Sequence, residues 1–189
     1  IVGNLNINSL PNKIDQLKVM VQDNLDILVI TESKLNSSFP LGDLMIAGFQ
    51  EPFRLDRTGD GGGVIIYVRE GITKKRLTFN GPDDFEGIFV EISLRKTKWL
   101  LGGCYHPPKQ PDNYFFYHLG NALDKFHKYD RFLLVGDFNA EETEPVLSEF
   151  LSTYDAKNLV KDKTCFKVIS NPTCIDLFIL NKPASFQGT

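Results

Sequence analysis

The segment RFLLVGDFNAEE, residues 131–142, runs from apolar residues directly into an acid and an amide. Residues 132–135 are continuously apolar, which is typical of a strand that is covered on both faces. Asp137 and Asn139 follow where the strand would end, and side chains two positions apart in a strand point to the same face. Either residue alone is more typical of a turn, so the pattern gains weight only if similar strand ends occur elsewhere.

Short apolar runs of strand length recur along the chain. They are DILVIT (26–31), GVIIYV (63–68), IFVEISL (88–94), KWLLGGCY (98–105), RFLLVGD (131–137) and CIDLFIL (174–180). Helical spacing of apolar residues is rarer and is found within residues 14–21, 116–126 and 146–151. Because strands outnumber helices and only some are separated by helices, we expect an α/β sandwich of two mixed β-sheets flanked by helices.

The composition fits one globular domain over residues 1–189. The chain is 42% hydrophobic and 24% charged, which is sufficient for one well-filled core. Cys104, Cys165 and Cys174 cannot all be paired and lack CxxC spacing, so we expect an intracellular protein without a zinc site. The net charge of −3 neither requires nor excludes nucleic acid. No apolar run reaches the roughly 18 residues of a membrane span, and we expect a monomer without membrane contact.

Polar side chains also occur at other strand ends. Asn6 and Asn8 lie two residues apart in the first extended segment, so we expect them on the same face of the first strand. Glu32 ends the second segment, and Tyr105 ends KWLLGGCY. Asp176 lies inside an apolar strand, where a carboxylate costs free energy unless it is paired or bound to a metal. Each has a simpler interpretation: a solvated acid for Glu32, a core ring with a wet hydroxyl for Tyr105, and bonds to backbone amides for Asp176.

Convergence of these side chains would give a specific chemistry. Oxygen ligands such as Glu32 and Asn8 suit Mg²⁺ or Mn²⁺, which bind through few carboxylates and keep several waters. A carboxylate base, amide and phenol donors and a divalent metal are the groups that hydrolysis of a phosphodiester requires. The residues by themselves therefore favour metal-dependent phosphoester hydrolysis.

Six ordered stretches resemble the endonuclease domain of non-LTR (LINE-type) retrotransposons. This domain belongs to the endonuclease/exonuclease/phosphatase superfamily and is similar to apurinic/apyrimidinic endonucleases. The stretches are NLNINSLPNKIDQL (4–17), DILVITESKLNSSFP (26–40), RLDRTGDGGGVIIYVRE (54–70), KWLLGGCYHPP (98–108), KYDRFLLVGDFNAE (128–141) and NPTCIDLFILNKPASF (171–186). GDFN alone is moderately specific and the ordered set is strongly so. The resemblance covers nearly the whole chain and implies the same sandwich of two mixed sheets.

The resemblance also implies roles for single residues. Glu32 would bind the catalytic Mg²⁺, or Mn²⁺ in its place, and Asn8 would assist it. Asp137 would orient or deprotonate the attacking water, and Asp176 would orient a histidine. The residues implied to hold the scissile phosphate are Asn6, Asn139 and Tyr105.

Basic residues outside these strand ends are candidates for DNA contact. RLDRTGDGGG offers Arg54 and Arg57 beside a glycine run, and ITKKRL (72–77) offers three further cations. Such residues would bind phosphates and position double-stranded DNA without reading its sequence. The alternative is a glycine turn and a solvated strand end.

The C-terminal end departs from the family's pattern. Domains of this family finish with a Ser-Asp-His segment, whose histidine contacts the phosphate and pairs with the Asp at position 176. The chain stops at Thr189 without that segment and begins at Ile1 in an extended segment. We therefore expect a chain truncated at both ends and weak or inactive as it stands, with decay of the gene copy as the alternative. A minor alternative makes His106 the substitute phosphate contact.

The function expected from the resemblance is a metal-dependent endonuclease that nicks double-stranded target DNA for retrotransposition. Its partner would be a reverse transcriptase domain downstream in the same polyprotein, and it would act in the nucleus. One alternative is a phosphatase or lipid phosphodiesterase of the same superfamily. Another is a non-catalytic remnant that only binds DNA or protein, for which Asp137→Ala would change nothing but stability.

Overall fold

The strands form two sheets that pack face to face in a computed structural model, which describes residues 1–21, 25–57 and 61–182. The first sheet contains β1 (Val2–Asn6), β2 (Ile27–Thr31), β3 (Phe53–Leu55) and β4 (Val64–Val68), in the order β1-β2-β4-β3. The second contains β5 (Thr73–Leu77), β6 (Glu86–Leu94), β7 (Thr97–Tyr105), β8 (Phe132–Asp137), β9 (Ala156–Asn158) and β10 (Asp176–Asn181), in the order β5-β6-β7-β8-β10-β9.

Both sheets are mixed, as predicted. Strands β1 and β2 are parallel, as are β7 and β8, whereas the other neighbouring pairs are antiparallel. Each of the six predicted strands is present. The short strands β3, β5 and β9 were not predicted, because two have three residues and the other, TKKRL, is mostly polar.

Helices cover the outer faces of the two sheets. The helices are α1 (Ile14–Met20), α2 (Asp112–Lys125), α3 (Pro145–Thr153) and a short 3₁₀ helix (Leu41–Leu44). The α1 helix packs on the first sheet, and α2 and α3 pack on the second. In the parts of the chain that the structure describes, no helix has the length and apolar character that crossing a bilayer requires.

The main core lies between the sheets. Its central side chains are fully buried. They include Val29 and Ile66 from the first sheet and Val90, Leu101 and Val135 from the second. The alternate residues of the same strands face the helices, for example Ile30 toward α1 and Leu134 toward α2. Coverage on both faces explains why these strands are continuously apolar, as predicted. Because the sheets are rigidly packed, the residues at their ends are held in fixed positions.

The apolar stripe predicted for the first helix is wrong at one position. Ile14 and Leu17 are buried, but Met20 is 70% exposed. The helix ends at Met20, and the next residue, Val21, supplies the buried contact. Residues 58–60 of the glycine-rich stretch, and the part of the C-terminal stretch beyond 182, lie outside the described residues.

Candidate active site

Four neighbouring strands of the second sheet each place one polar residue at the same level. Glu86 on β6 pairs with Tyr105 on β7, Tyr105 pairs with Asp137 on β8, and Asp137 pairs with Asp176 on β10. Paired residues on adjacent strands project to the same face of a sheet. We call these four residues the polar row. Their side chains point toward the first sheet at the end of the sandwich.

The first sheet meets the polar row through two amides on β1. The Asn6 amide donates to Glu32 Oε1 at 2.7 Å and to Asp137 Oδ2 at 2.8 Å. The Asn4 amide donates to Asp176 Oδ1 at 3.1 Å. The structure thus brings Asn6, Glu32, Asp137 and Asp176 together, which the sequence left open, and it adds Asn4.

The prediction that Asn6 and Asn8 share one face of a strand is wrong. The strand ends at Asn6, and Asn8 has a left-handed backbone with φ of 43°. The residue that shares a face with Asn6 is Asn4, two positions before it. Asn8 lines the pocket, but its Oδ1 accepts a hydrogen bond of 2.6 Å from Lys34, whose ammonium lies 3.9 Å from Glu32 Oε2. Its role as an assisting metal ligand stays a prediction that requires Lys34 to move.

The pocket between these residues has a volume of about 290 Å³. It is lined by Asn6, Asn8, Glu32, Asp137, Ile175, Asp176 and residues 164–167. Residues 165–173 form a hairpin beside it, in which Cys165 pairs with Thr173. Phe166 and Ile169 of this hairpin are 61% and 89% exposed. Phe166 lines the pocket, so an exposed apolar side chain borders the carboxylates.

Asp137 is buried, with 2% of its surface exposed. Burial raises the pKa of its carboxyl to about 6, and the charges of Asp176 and Glu32 act in the same direction. The hydrogen bonds from Asn6 and from the Asn139 N–H oppose this rise in pKa. A carboxylate whose pKa lies close to neutral pH is suited to accept a proton from water.

Tyr105 lies next to Asp137 and is 5% exposed. Burial raises the pKa of its hydroxyl well above the usual range, and the charges of Glu32, Asp137 and Glu86 raise it further. The hydroxyl therefore stays protonated at neutral pH. A protonated phenol can donate a hydrogen bond to a phosphate oxygen, which agrees with the predicted role.

Asn139 lies in the turn that follows β8, so the turn and not the alternation of side chains along a strand determines its position. The strand ends at Asp137, and Asn139 has a φ of 45°, so the prediction that both lie on one strand face is wrong. The Asn139 N–H donates to Asp137 Oδ1 at 3.0 Å, and its side chain donates to the backbone oxygen of His106 at 2.7 Å. The amide thus ties the GDFN turn to the loop after Tyr105, and its contact with phosphate stays a prediction.

His106 is a buried residue, so the minor alternative that made it an exposed phosphate contact is wrong. Its side chain is 1% exposed and stacks on Phe115 with ring centroids 4.5 Å apart. Nδ1 lies 2.7 Å from the oxygen of Phe138, and Nε2 lies 2.9 Å from that of Gln110. The ring holds the loop after β7 against the GDFN turn.

Asp176 has partners other than a histidine. Its backbone N–H donates to Thr164 Oγ1 at 3.0 Å, and its carboxylate accepts from Asn4. Burial raises the pKa of Asp176, whereas Thr164, Asn4 and the charge of Lys167 oppose the rise. The histidines of the chain are bonded or stacked elsewhere, on and around α2. The role of orienting a histidine therefore stays a prediction.

The two candidate DNA-binding arginines are both engaged in ion pairs. Arg54 donates to Asp56 and to the backbone oxygens of Asn36 and Phe39, so a structural role replaces the predicted DNA contact. The acid Asp56, two residues after Arg54, was visible in the sequence and could have indicated this ion pair. Arg57 donates to Glu86 but is 40% exposed, and its contact with DNA stays a prediction.

Glu86 is the main functional candidate that sequence reasoning missed. Burial raises the pKa of its carboxyl, while the Gly63 N–H and Arg57 oppose the rise. Glu86 lies two residues before the predicted strand IFVEISL, so the sequence has an acid next to an apolar run here, as it has at Asp137.

The donor set fits a hard divalent cation. Among the described residues, no three His, Cys, Asp or Glu side chains cluster closely enough to hold a metal ion by themselves. Mg²⁺ needs no such cage, because it keeps several waters and binds through one or two carboxylates together with substrate phosphate. Glu32, at the pocket wall, is the residue that fits this mode. Cys165 is one thiol among the lining residues, fewer than the set of Cys and His ligands that a zinc site uses.

Comparisons with known proteins agree with the fold described above. The profile of the Endonuclease/Exonuclease/phosphatase family matches residues 3–186. A search of curated proteins finds no match. Many solved structures match the chain, and three of them, all of low sequence identity, are described below.

The first is the endonuclease domain of TRAS1, a telomere-specific non-LTR retrotransposon, with a TM-score of 0.71 and 16% identity over 96% of this chain and 83% of that one. The second is an AP endonuclease from Leishmania major, with a TM-score of 0.71 and 11% identity over 96% and 78% of the two chains. The third is a mannosyl-6-phosphatase from Bacteroides thetaiotaomicron, with a TM-score of 0.68 and 14% identity over 96% and 84%.

Proposed function

The chain belongs to the Endonuclease/Exonuclease/phosphatase family, and we propose that within it this protein is a divalent-metal-dependent endonuclease that nicks duplex DNA. The observation that carries the proposal is the shared amide of Asn6, which joins Glu32 on one sheet to Asp137 on the other. A metal ligand and a base are thereby held beside the same pocket. Hydrolysis of a phosphodiester needs both groups at one phosphorus.

In this proposal each residue of the site has a separate role. Asp137 accepts the proton of the attacking water, and Asn6 fixes the orientation of its carboxylate. The Tyr105 hydroxyl donates to a phosphate oxygen, where negative charge grows during the reaction. Glu32 holds Mg²⁺ or Mn²⁺, which when bound supplies positive charge to the phosphate and to the leaving oxygen.

The surroundings of the pocket support a long polymeric substrate. The exposed apolar residue Phe166 and the cation Lys167, next to it in the chain, both line the pocket beside the carboxylates. A cation beside apolar side chains suits a nucleic acid, which presents phosphates next to sugar and base surfaces. Arg57 on the other side of the site supplies a further exposed cation.

The retrotransposon assignment rests on the six ordered stretches of sequence, with the likeness to the TRAS1 domain supporting the fold. In this proposal the nick primes reverse transcription. The partner is then a reverse transcriptase domain of the same polyprotein, and the place of action is the nucleus. A phosphatase is the second candidate, because the same site chemistry and the likeness to the mannosyl-6-phosphatase favour it.

A nicking assay separates these functions. Supercoiled plasmid is incubated with Mg²⁺ or with EDTA and the longest natural chain that carries this sequence. The proposal expects relaxed circles with Mg²⁺ only, and it expects Asp137→Ala to produce none. The control is Glu91→Ala, which should still nick, because Glu91 lies on β6 away from the pocket and pairs with Lys98 of β7. Release of phosphate from sugar phosphates without nicking would identify a phosphatase. Plasmid binding without any hydrolysis would identify a non-catalytic remnant.

A further inference from the structure

Glu86 is a buried carboxylate that the mechanism above does not use. Its side chain is 3% exposed, at one end of the polar row beside Tyr105. Oε1 accepts a hydrogen bond of 2.6 Å from Arg57, and Oε2 accepts one of 2.5 Å from the Gly63 N–H. Each oxygen therefore has its own donor on the loop that leads into β4.

The loop segment Gly61–Gly63 lies between Glu86 and the end of β2. The oxygen of Gly63 accepts from the Ser33 N–H at 3.2 Å, and the oxygen of Gly62 accepts from the Lys34 N–H at 2.9 Å. These two amides directly follow Glu32, whose backbone is left-handed with φ of 51°. A continuous set of contacts thus runs from the carboxylate of Glu86 to the turn that carries Glu32.

Only glycine allows this segment to fit. Gly62 and Gly63 have φ values of 75° and 93°, which disfavour any residue with a Cβ. A Cβ at Gly62 would overlap both carboxylate oxygens of Glu86, and one at Gly63 would overlap Ser33 Oγ. The glycine run of the sequence is therefore a spacer that lets a carboxylate from the second sheet support a turn of the first.

We propose that Glu86 is a positioning residue of the active site. Its carboxylate holds the glycine segment against Ser33 and Lys34, and so fixes Glu32, while its second oxygen holds Arg57 at the mouth of the site. The inference rests on the proposed function, in which Glu32 is the metal ligand. Partners that orient a metal ligand typically affect metal affinity by 10- to 100-fold when they are removed.

The first test is amide hydrogen exchange in Glu86→Ala, Arg57→Ala and Glu91→Ala. Glu86→Ala removes the acceptor of the Gly63 N–H, so exchange of Gly63, Ser33 and Lys34 is expected to become about tenfold faster or more. Arg57→Ala leaves that acceptor in place and is expected to leave these amides unchanged. Glu91→Ala is the control on the same strand. Unchanged protection of Ser33 and Lys34 in Glu86→Ala overturns the proposal.

The second test asks whether fixing Glu32 matters for the metal. The Mg²⁺ concentration that gives half-maximal nicking is expected to rise about tenfold in Glu86→Ala, whether or not the melting temperature also falls. A merely structural glutamate would lower the melting temperature and leave the Mg²⁺ requirement as it was, and that result counts against the proposal. Mn²⁺ titration of the protein without DNA provides the same comparison independently of activity.

A second variant covers failure of Glu86→Ala to fold. Glu86→Gln keeps the shape but offers one acceptor oxygen to two donors, so it must lose the contact with Gly63 or with Arg57. Faster exchange at Gly63, or DNA affinity lowered to that of Arg57→Ala, supports the proposal. If Glu86→Gln shows none of these changes, the proposal is refuted. If the wild type makes no nicks with any metal, the proposed function fails, whereas the exchange data still decide whether Glu86 holds the Glu32 turn.

Discussion

The side-chain amide of Asn6 lies 2.8 Å from the carboxylate of Asp137, and this contact spans the gap between the two sheets at the site. The same amide lies 2.7 Å from Glu32. One NH₂ group therefore sets the separation of the two carboxylates that the chemistry needs. It also supplies the hydrogen bond that most strongly counteracts the effect of burial on the pKa of Asp137.

Replacing Asn6 tests this arrangement. Because Asp137 acts as a base, nicking should fall as the pH drops through about 6, where its carboxyl gains a proton. Asn6→Ala removes a donor that favours the ionised form, so this fall should move to higher pH, and kcat/KM at neutral pH should decrease about 100-fold. The pH dependence of kcat/KM is the measurement. Asn4→Ala, which loses a donor to Asp176, should leave the position of the fall in place.

Asp137→Asn should stabilise the fold while it abolishes activity. The carboxyl has a pKa of about 6 in the folded chain, against about 3.9 in an unfolded one, so the folded state binds its proton more tightly. Stability therefore decreases as the pH rises from about 4 to about 6 and stays lower above that range. The full difference corresponds to about 3 kcal/mol, of which the lost acceptor oxygen removes a part.

Urea unfolding at two pH values measures this effect. Asp137→Asn should be more stable than the wild type by about 1–3 kcal/mol at pH 7.5, and the advantage should shrink toward pH 4. A variant that is less stable than the wild type at pH 7.5 would show that burial of the ionised carboxylate is fully compensated by its hydrogen bonds.

Gly136→Ala should be strongly destabilising. A Cβ at Gly136 would overlap the backbone oxygen of Cys104 on the neighbouring strand, and backbone atoms in the centre of a sheet cannot move aside. We expect a loss of at least about 3 kcal/mol in the free energy of unfolding. Gly61→Ala is the matched control, because a Cβ there would meet no atom within 4 Å. Equal melting temperatures for the two variants would contradict this view of the GDFN glycine.

His106→Ala should cost about 2–4 kcal/mol of stability, since it opens a cavity against Phe115 and removes the ring nitrogens that contact the backbone oxygens of Phe138 and Gln110. Nicking should fall as well, because the ring holds the GDFN turn. The exposed His127 provides the comparison, and His127→Ala should change stability by less than about 0.5 kcal/mol. Chemical denaturation of both variants is sufficient as a test.

The sequence predicted the sheets because their strands are apolar on both faces, and that property is visible without coordinates. It also predicted Asp137, Glu32 and Tyr105, since each stands where an apolar run stops. Asn4 was missed because the end of β1 was misplaced: the strand ends at Asn6, so Asn8 leaves the face that Asn4 and Asn6 share.

Glu86 was missed for a different reason. Its importance depends on strand register, and the pairing of Glu86 with Tyr105 involves residues 19 positions apart in different strands. Sequence patterns report the period of a single strand and contain little information about its alignment with a neighbour. The same limit applies to His106, whose burial depends on Phe115 from the following helix.

The polar row has a consequence for how such a gene can change over generations. A deletion or insertion of a single codon inside β6, β7, β8 or β10 puts the side chains on its two sides out of phase. The row member at the end of that strand and the core residues of the same strand then cannot all face the first sheet. A change of two codons returns the side chain to its original face but moves it along the strand, out of line with the other members of the row. Loops tolerate length variation, whereas these four strands can vary in composition but not in length while the site persists.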